Sequence, residues 1–456
     1  MISTAGTSWW AAGRRATRRR WAGGAGGAAS AIGVGALTAC ATSGGPPTPP
    51  TSKEAITLGF MTDWSSGARL KTIEDAVALW QARSPHIRVD VRHAQSLERD
   101  LLAGISAGTP PDVTLYSSTS IAAQRSSFVD LMPFIKRDRF AMGDWLPVHP
   151  AVLHEGGQYG MPFQSNSGVW LYNKTLFQRH GAPLPTAQWT WNDVAEAAKR
   201  LTDKAQQQWG LEFAGTETDL FQAHLYANGG DYVSQDRKRV TLDTPEAFEA
   251  GRWIADRLHR DQTVVTNEER AAVAAPGQSL AFQSGRVAML HRDLRWVGNL
   301  QDSIGFGQFE WDLMWPARAP RTGKGLHIVI NQPHAIPKHA SRSGAQQDAA
   351  WALTAFLSGP EVMGLIAENR GAVPVYRKVL TGERYLRRPP ATMGIVPKLV
   401  DEGRSVVWFP DSQEVFAPVG RALGQAWAGQ VQADDALRAA TQEANAVMAV
   451  VATRGR

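Results

Sequence analysis

Three short apolar segments separated by two helical ones, all within about sixty residues, constrain this chain most. Ala55–Phe60 (AITLGF), Ile87–Val91 (IRVDV) and Asp112–Tyr116 (DVTLY) read as strands. Between the first two, Leu70–Ala82 places Leu70, Ile73, Val77 and Trp80 at helical spacing. Leu97–Ala107 is a second helix, ended by Gly108 and blocked by Pro110-Pro111. Strands joined through helical crossovers pair in parallel, so the pattern predicts an α/β domain on a parallel sheet.

Later segments keep the style without repeating the sequence. Gly168–Tyr172, Val287–Leu290 and Ile328–Ile330 read as strands. Trp191–Thr202 is a helix capped by Thr190 or Asn192, and Asp243-Thr244-Pro245 announces a helix over Pro245–Arg260. Ala349–Leu357 is a helix stopped by Ser358-Gly359-Pro360. No repeat and no long linker follows Ser52, so two closely connected lobes are expected rather than separate beads.

The N-terminus carries a different message. Residues 1–39 hold Arg14, Arg15, Arg18, Arg19 and Arg20 and no acid, then a mildly apolar Gly/Ala stretch that ends at Cys40. That order is an export signal, to be kept out of fold reasoning. Thr17-Arg18-Arg19-Arg20-Trp21 resembles the twin-arginine pattern, and Leu37-Thr38-Ala39-Cys40 resembles a bacterial lipobox. Cys40 is the only cysteine and sits where lipidation needs a thiol; residues 41–52 (ATSGGPPTPPTS) are an uncharged tether unable to pack a core. The alternative is an incidental cysteine in an ordinary cleaved signal.

Charge follows the same division. The formal net charge is +6, but without residues 1–39 there remain 43 basic against 42 acidic residues. A basic nucleic-acid-binding body is therefore not supported, and no nucleic-acid partner is expected. One cysteine excludes an internal disulfide framework and any multi-cysteine metal cluster. No run of about 18 apolar residues occurs.

Eight segments, in order, resemble the extracellular solute-binding proteins of ATP-driven importers, family 1. They are ALWQARSPHIRVDV, LLAGISAGTPPDVTLY, GQYGMPFQSNSGVWLYNKTLF, WTWNDVAEAAKRLT, NGGDYV with VTLDTPEAFEAGRWIADR, FQSGRVAML, WALTAFLSGPEV and NRGAVPVYRKV. The resemblance covers residues 55–450, nearly everything after the tether. It implies an α/β two-lobe periplasmic-binding-protein fold, a hinge crossed more than once and a ligand cleft between the lobes. By that pattern residues 53–162 and 326–372 form one lobe, and 163–325 with 373–456 the other. The implied partners are a small-molecule sugar, permease subunits in the membrane and a lipid anchor on Cys40. A monomer on the outer face of the cytoplasmic membrane is expected, with no cofactor and no metal.

Ligands of open sheets sit beyond the carboxyl ends of strands. That places Asp63, Trp64 and Ser65 at the cleft after the first strand, and Tyr116, Ser117 and Ser118 after the third; the family's positions coincide with these. A pyranose has an apolar face and a ring of hydroxyls, so aromatic platforms and planar polar groups hold it. Trp64, Tyr116, Trp296 and Trp408 are the expected platforms, with a core or hinge role as the alternative. Trp80, Trp253 and Trp351 lie on helical apolar stripes and read as core. The resemblance adds Asn166 as a hinge-side polar ligand, Glu217 and Asp219 as acidic contacts or helix caps, and Gly371 where backbone approaches ligand.

The chain departs from the family at Val287–Trp296, which lacks the usual Gly and is one residue longer. Arg292 and Arg295 bring charge there. They leave a glycerophosphodiester or acidic sugar open beside a neutral sugar, and pairing with Asp293 on a solvated face is the bland alternative. Enzymatic signals are thin: His291, His327, His334 and His339 lack a completing ligand type and read as surface histidines. No Gly-x-Ser-x-Gly elbow occurs between a strand and a helix, the one match to that spacing, Gly104–Gly108, closing the second helix, and no phosphate loop occurs. A surface glycosidase using Glu217 and Asp219, or a sensory lipoprotein, is the competing class; no catalytic residue is expected.

Overall fold

Alternation of apolar side chains builds the first layer. The computed structural model describes residues 55–147, 150–214, 217–274, 278–294, 297–298, 300, 308–387, 390–409 and 411–454. The export signal, Cys40 and the tether expectation lie outside them. β1 (Ile56–Thr62) buries Ile56, Leu58 and Phe60. α1 (Gly67–Arg83) starts three residues earlier than the spacing predicts, after Ser66, and turns Ile73, Ala76 and Trp80 inward. β2 (Ile87–His93) lies parallel to β1 with Ile87 opposite Ile56. α2 (Leu97–Ser106) is capped by Ser96, whose Oγ accepts from Arg99 N at 3.4 Å. It gives way to Gly108 at φ +73°, a left-handed turn that glycine takes without penalty. β3 (Val113–Leu115) pairs parallel to β1 on its other side. The parallel order β2–β1–β3 is the one that helical crossovers predict.

The chain then passes α3 (Ser118–Ala123), α4 (Met132–Arg137) and a small ribbon of β4 (Leu153–His154) and β5 (Gly157–Gln158). β6 follows as a strand of 13 residues, Met161–Asn173. Beyond it come α5 (Lys174–Arg179), α6 (Trp191–Arg200), β7 (Trp209–Phe213), α7 (Glu217–Ala227), α8 (Pro245–Ala255) and α9 (Asn267–Val273). Thr190 is the cap of α6, in a reciprocal box with Asp193. β8 (Val287–Asp293), β9 (Trp311–Met314), β10 (Ile328–Ala335), β11 (Val373–Pro374) and β12 (Arg404–Ser405) complete the main sheet.

β6 is the strand that both halves of the sheet share. Met161–Ser167 run antiparallel to β10, with Asn166 opposite Ile330. From Gly168 onward the partners are β8 and β9, and β7 lies parallel to β8 beyond them. Two large apolar clusters pack on this frame. One gathers Phe60, Trp64, Trp80, Phe163 and Trp351; the other gathers Trp191, Phe221, Trp253 and Leu437. Trp80, Trp253 and Trp351 are core, as their helical stripes predict. Val375, Leu380, Tyr385 and Leu399 pack in the first cluster.

Three histidines overturn the surface expectation. His291, His327 and His334 are 7, 2 and 0% exposed. They lie on β8, just before β10, and on β10, interior strands whose side chains enter packed layers on both faces. His334 packs 4.0 Å from the Phe163 ring centroid and 5.4 Å from that of Phe60. Burial lowers the His327 and His334 rings to about 3, so both are neutral at physiological pH.

Candidate functional site

The parallel neighbours β7 and β8 end close together, at Phe213 and Asp293, where an open sheet offers a crevice. Val264 extends this edge by a parallel bridge to Leu211. Leu220 and Ala223 of α7, Ile254 of α8 and Trp427 at the end of the helix Ser412–Trp427 face these strands. Between the two layers lies a cavity of about 460 Å³. Its strand wall includes Phe213, His291, Ile328 and Ile330. That is the size and predominantly apolar character of a small-molecule site.

The cavity draws together three of the residues expected at the ligand: Asn166, Asp219 and Arg292. Asn166 is 5% exposed, and its Oδ1 has no hydrogen-bond partner among the described residues. A buried carbonyl left so costs about 1–3 kcal/mol, which a bound hydroxyl or amide would offset. Arg292 Nε stands 3.8 Å from Asp293 Oδ2, with both side chains 20% exposed. This is an ion pair too long to be a hydrogen bond. Asp219 occupies the first turn of α7, where helix amides favour a negative charge.

A second cation, Arg270 of α9, also reaches the cavity, and its charge is already matched. Its Nε donates to Glu212 Oε1 at 2.8 Å. Glu212 is fully buried and also accepts from Ala281 N at 3.1 Å and Phe282 N at 2.8 Å. Burial pushes the Glu212 carboxyl above the usual carboxylate range; the Phe282 amide and Arg270 oppose that shift. His291 is held well below its ordinary value, by burial first and then by the nearby His327 and His224 rings and the Arg292 guanidinium. The cavity wall thus pairs cations with carboxylates and keeps His291 neutral. Among the described residues, no group of three or more His, Cys, Asp or Glu could hold a metal ion.

The remaining expected residues fall elsewhere. Trp64 is fully buried, its ring 4.9 Å from Phe163, with the Arg69 guanidinium 5.0 Å from the ring centroid. Gly371 lies beside it: a Cβ there would stand 3.2 Å from Trp64 Cζ3. Arg69 links this cluster to the shared strand, donating to Gly371 O at 3.2 Å and to Gln164 Oε1 at 3.4 Å. Asp63 Oδ1 is buried without a hydrogen-bond partner among the described residues. Tyr116 is 1% exposed near Phe128, its hydroxyl accepting from Gln124 Nε2 at 3.2 Å. Ser117 precedes α3 and its Oγ lies 2.9 Å from Thr119 Oγ1, while Ser118 Oγ donates to Asn331 O at 2.7 Å. Trp408 is half-buried, and its carbonyl accepts from Arg237 Nη1 at 3.5 Å. Trp296, Arg295, Cys40 and the Glu217 side chain lie outside the described residues.

Phe213, Arg270 and Trp427 line the cavity without having been singled out in the sequence. The strand-end rule would have found Phe213 had Trp209–Phe213 been recognised as a strand.

A strand shared by two packed halves, beside a solute-sized cavity with a few convergent polar groups, defines a solute-binding protein. The chain matches the bacterial extracellular solute-binding proteins over residues 64–364 and belongs to that family. Membership places its work outside the cytoplasm. The mannitol-binding protein of Pseudomonas aeruginosa is 28% identical over 338 residues, 66% of this chain and 72% of that protein. The sn-glycerol-3-phosphate-binding periplasmic protein of Rhizobium meliloti is 23% identical, over 65% of this chain and 69% of its own. Among solved structures, an ABC substrate-binding protein of Listeria monocytogenes in complex with cycloalternan superposes with a TM-score of 0.77. That pair is 22% identical, covering 87% of this chain and all of the other.

Proposed function

We propose that this chain is the solute-capturing subunit of an ATP-binding-cassette importer and that its solute is a neutral sugar, oligosaccharide or polyol. The observation that carries the reading is the buried Asn166 carboxamide beside charges that already have counter-charges. Such a wall has hydrogen bonds to offer hydroxyl groups and little net charge to offer a phosphate. The mannitol and cycloalternan named for two similar proteins support the same class. The two lobes meet along β6, where partners change between Ser167 and Gly168, and close on the solute. Asn166, Asp219 and Arg292 contact it. The export signal directs the chain outward, lipid on Cys40 holds it at the membrane, and the closed form meets the permease.

A second reading keeps the fold and takes a glycerophosphodiester; the guanidiniums of Arg292 and Arg270 at the cavity favour it. Calorimetric titration of residues 53–456 with mannitol, maltotriose and glycerophosphocholine separates the two. Saturable heat from a neutral compound, lost in Asn166→Ala, supports the first. Heat from glycerophosphocholine alone, lost in Arg292→Ala, replaces it with the second. For the anchor, incorporation of labelled fatty acid in the wild type but not in Cys40→Ser is expected; equal labelling of both would refute it.

A further inference from the structure

The cavity has two chemically different ends. Asn166, Arg292 and Asp293 mark one, at the carboxyl ends of the second-half strands. The other is marked by Leu258 and Trp427. Leu258 lies in the π-turn Asp256–Arg260 that continues α8, and the chain from there enters the parallel edge bridge at Val264. A helix that precedes a strand meets it at the strand's amino end, so Leu258 stands at the opposite end of β7 from Asp293. His259 Nε2, 3.1 Å from Ala426 O, joins the π-turn to the end of the Ser412–Trp427 helix. Between the two ends the walls include Ile254 and Ala223, neither more than 5% exposed.

Hydroxyl-rich ligands need hydrogen-bond partners along their whole length; at this far end the lining adds the His259 ring, whose Nε2 is already engaged with Ala426 O, to the apolar Leu258 and Trp427. Protein interiors hold few spaces larger than a water, so an apolar space of this size needs a use. We propose that the solute is amphipathic: a sugar or polyol head at Asn166, Asp219 and Arg292, carrying an alkyl or aryl substituent that lies between α7, α8 and the strands. This deepens the sugar or polyol reading and rests on it.

The experiment compares methyl and hexyl glycosides of glucose, galactose and mannose, below their micellar concentrations, by titration against residues 53–456. Each buried methylene should tighten binding roughly threefold, so hexyl, five methylenes longer, should exceed methyl by about 200-fold for the sugar that binds. Leu258→Trp and, independently, the milder Ala223→Leu fill the far end. In either folded variant the ratio of hexyl to methyl affinity, read within that variant, should fall to under about tenfold. Methyl and hexyl forms binding within threefold of each other would overturn the proposal and leave the sugar reading standing. An advantage that survives both filled variants would also overturn it, since the tail would lie elsewhere. No binding by any glycoside, with glycerophosphocholine bound instead, would sink both readings.

Discussion

Replacing Arg270 by methionine removes the partner of a carboxylate that has no access to water. Glu212 is fully buried and takes one hydrogen bond from Arg270 Nε and two from backbone amides. Breaking a buried pair from one side costs about 3–5 kcal/mol. Here the Arg270 side chain is 24% exposed and the two amides remain, so about 2–3 kcal/mol is the reasoned loss near pH 8. At about 2 °C per kcal/mol for a chain of this size, that is a fall in Tm of roughly 5 °C. The pH dependence is the sharper test. Burial raises the folded-state carboxyl above its ordinary 4.5. The stability this group contributes is therefore complete below pH 4.5 and is lost as pH rises through the folded value. Without Arg270 that value climbs further, so the penalty of Arg270→Met grows from under about 1 kcal/mol near pH 4.5 to its full size near pH 8. Urea midpoints across that range, with Glu212→Gln/Arg270→Met beside the single variant, read it directly. A loss independent of pH, or a double variant no more stable than the single at pH 8, would refute the reasoning.

Three further outcomes are expected. Asn166→Ala should abolish solute-induced stabilisation while changing the Tm of the protein alone by no more than about 2 °C, because its Oδ1 makes no hydrogen bond among the described residues; differential scanning fluorimetry with and without solute checks both halves. His334 is buried with its folded value lowered to about 3 against 6.5 unfolded, so the stability its neutral form provides is lost as pH falls from 6.5 toward 3. His334→Leu should therefore gain about 2 kcal/mol on the wild type between pH 7.5 and pH 5, and equal pH slopes in the two denaturation series would count against it. Gly371→Ala should lower Tm by about 2–4 °C, since its Cβ would meet Trp64 Cζ3 at 3.2 Å and Thr72 Oγ1 at 3.3 Å, both on packed side chains; an unchanged melting curve would show that the cluster yields.

Much of the frame was legible because local rules decide it. Alternation gave the strands of the first hundred and twenty residues and their parallel order, and Thr190 announced the start of α6. β6 was legible only over Gly168–Tyr172, because Gln164-Ser165-Asn166-Ser167 looks like a loop. Those polar side chains sit in an extended strand between β10 and β11, where neighbours farther along the chain complete the ladder. β7 was missed for a related reason. Glu212 breaks its apolar pattern, and Arg270, 58 residues later, together with the Ala281 and Phe282 amides, makes it tolerable there. The histidines misled in the same way, since the packing of β8 and β10 decides their burial and their own neighbours in sequence do not. Of the expected contacts, Asn166, Asp219 and Arg292 meet at one cavity because β6, α7 and β8 converge there. Trp64 and Tyr116 sit at strand ends as expected, but their rings are packed against Phe163 and Phe128.

The central claim is capture of a neutral polyhydroxyl solute, and a thermal-shift panel on residues 53–456 tests it most directly. The panel sets sugars, oligosaccharides and polyols beside glycerophosphodiesters. A ligand at 100 times its Kd adds about 2.7 kcal/mol, a rise of roughly 5 °C for a chain of this size. The account predicts such a rise from at least one neutral compound and its loss in Asn166→Ala. A rise from phosphodiesters alone, or one untouched by that substitution, would contradict it.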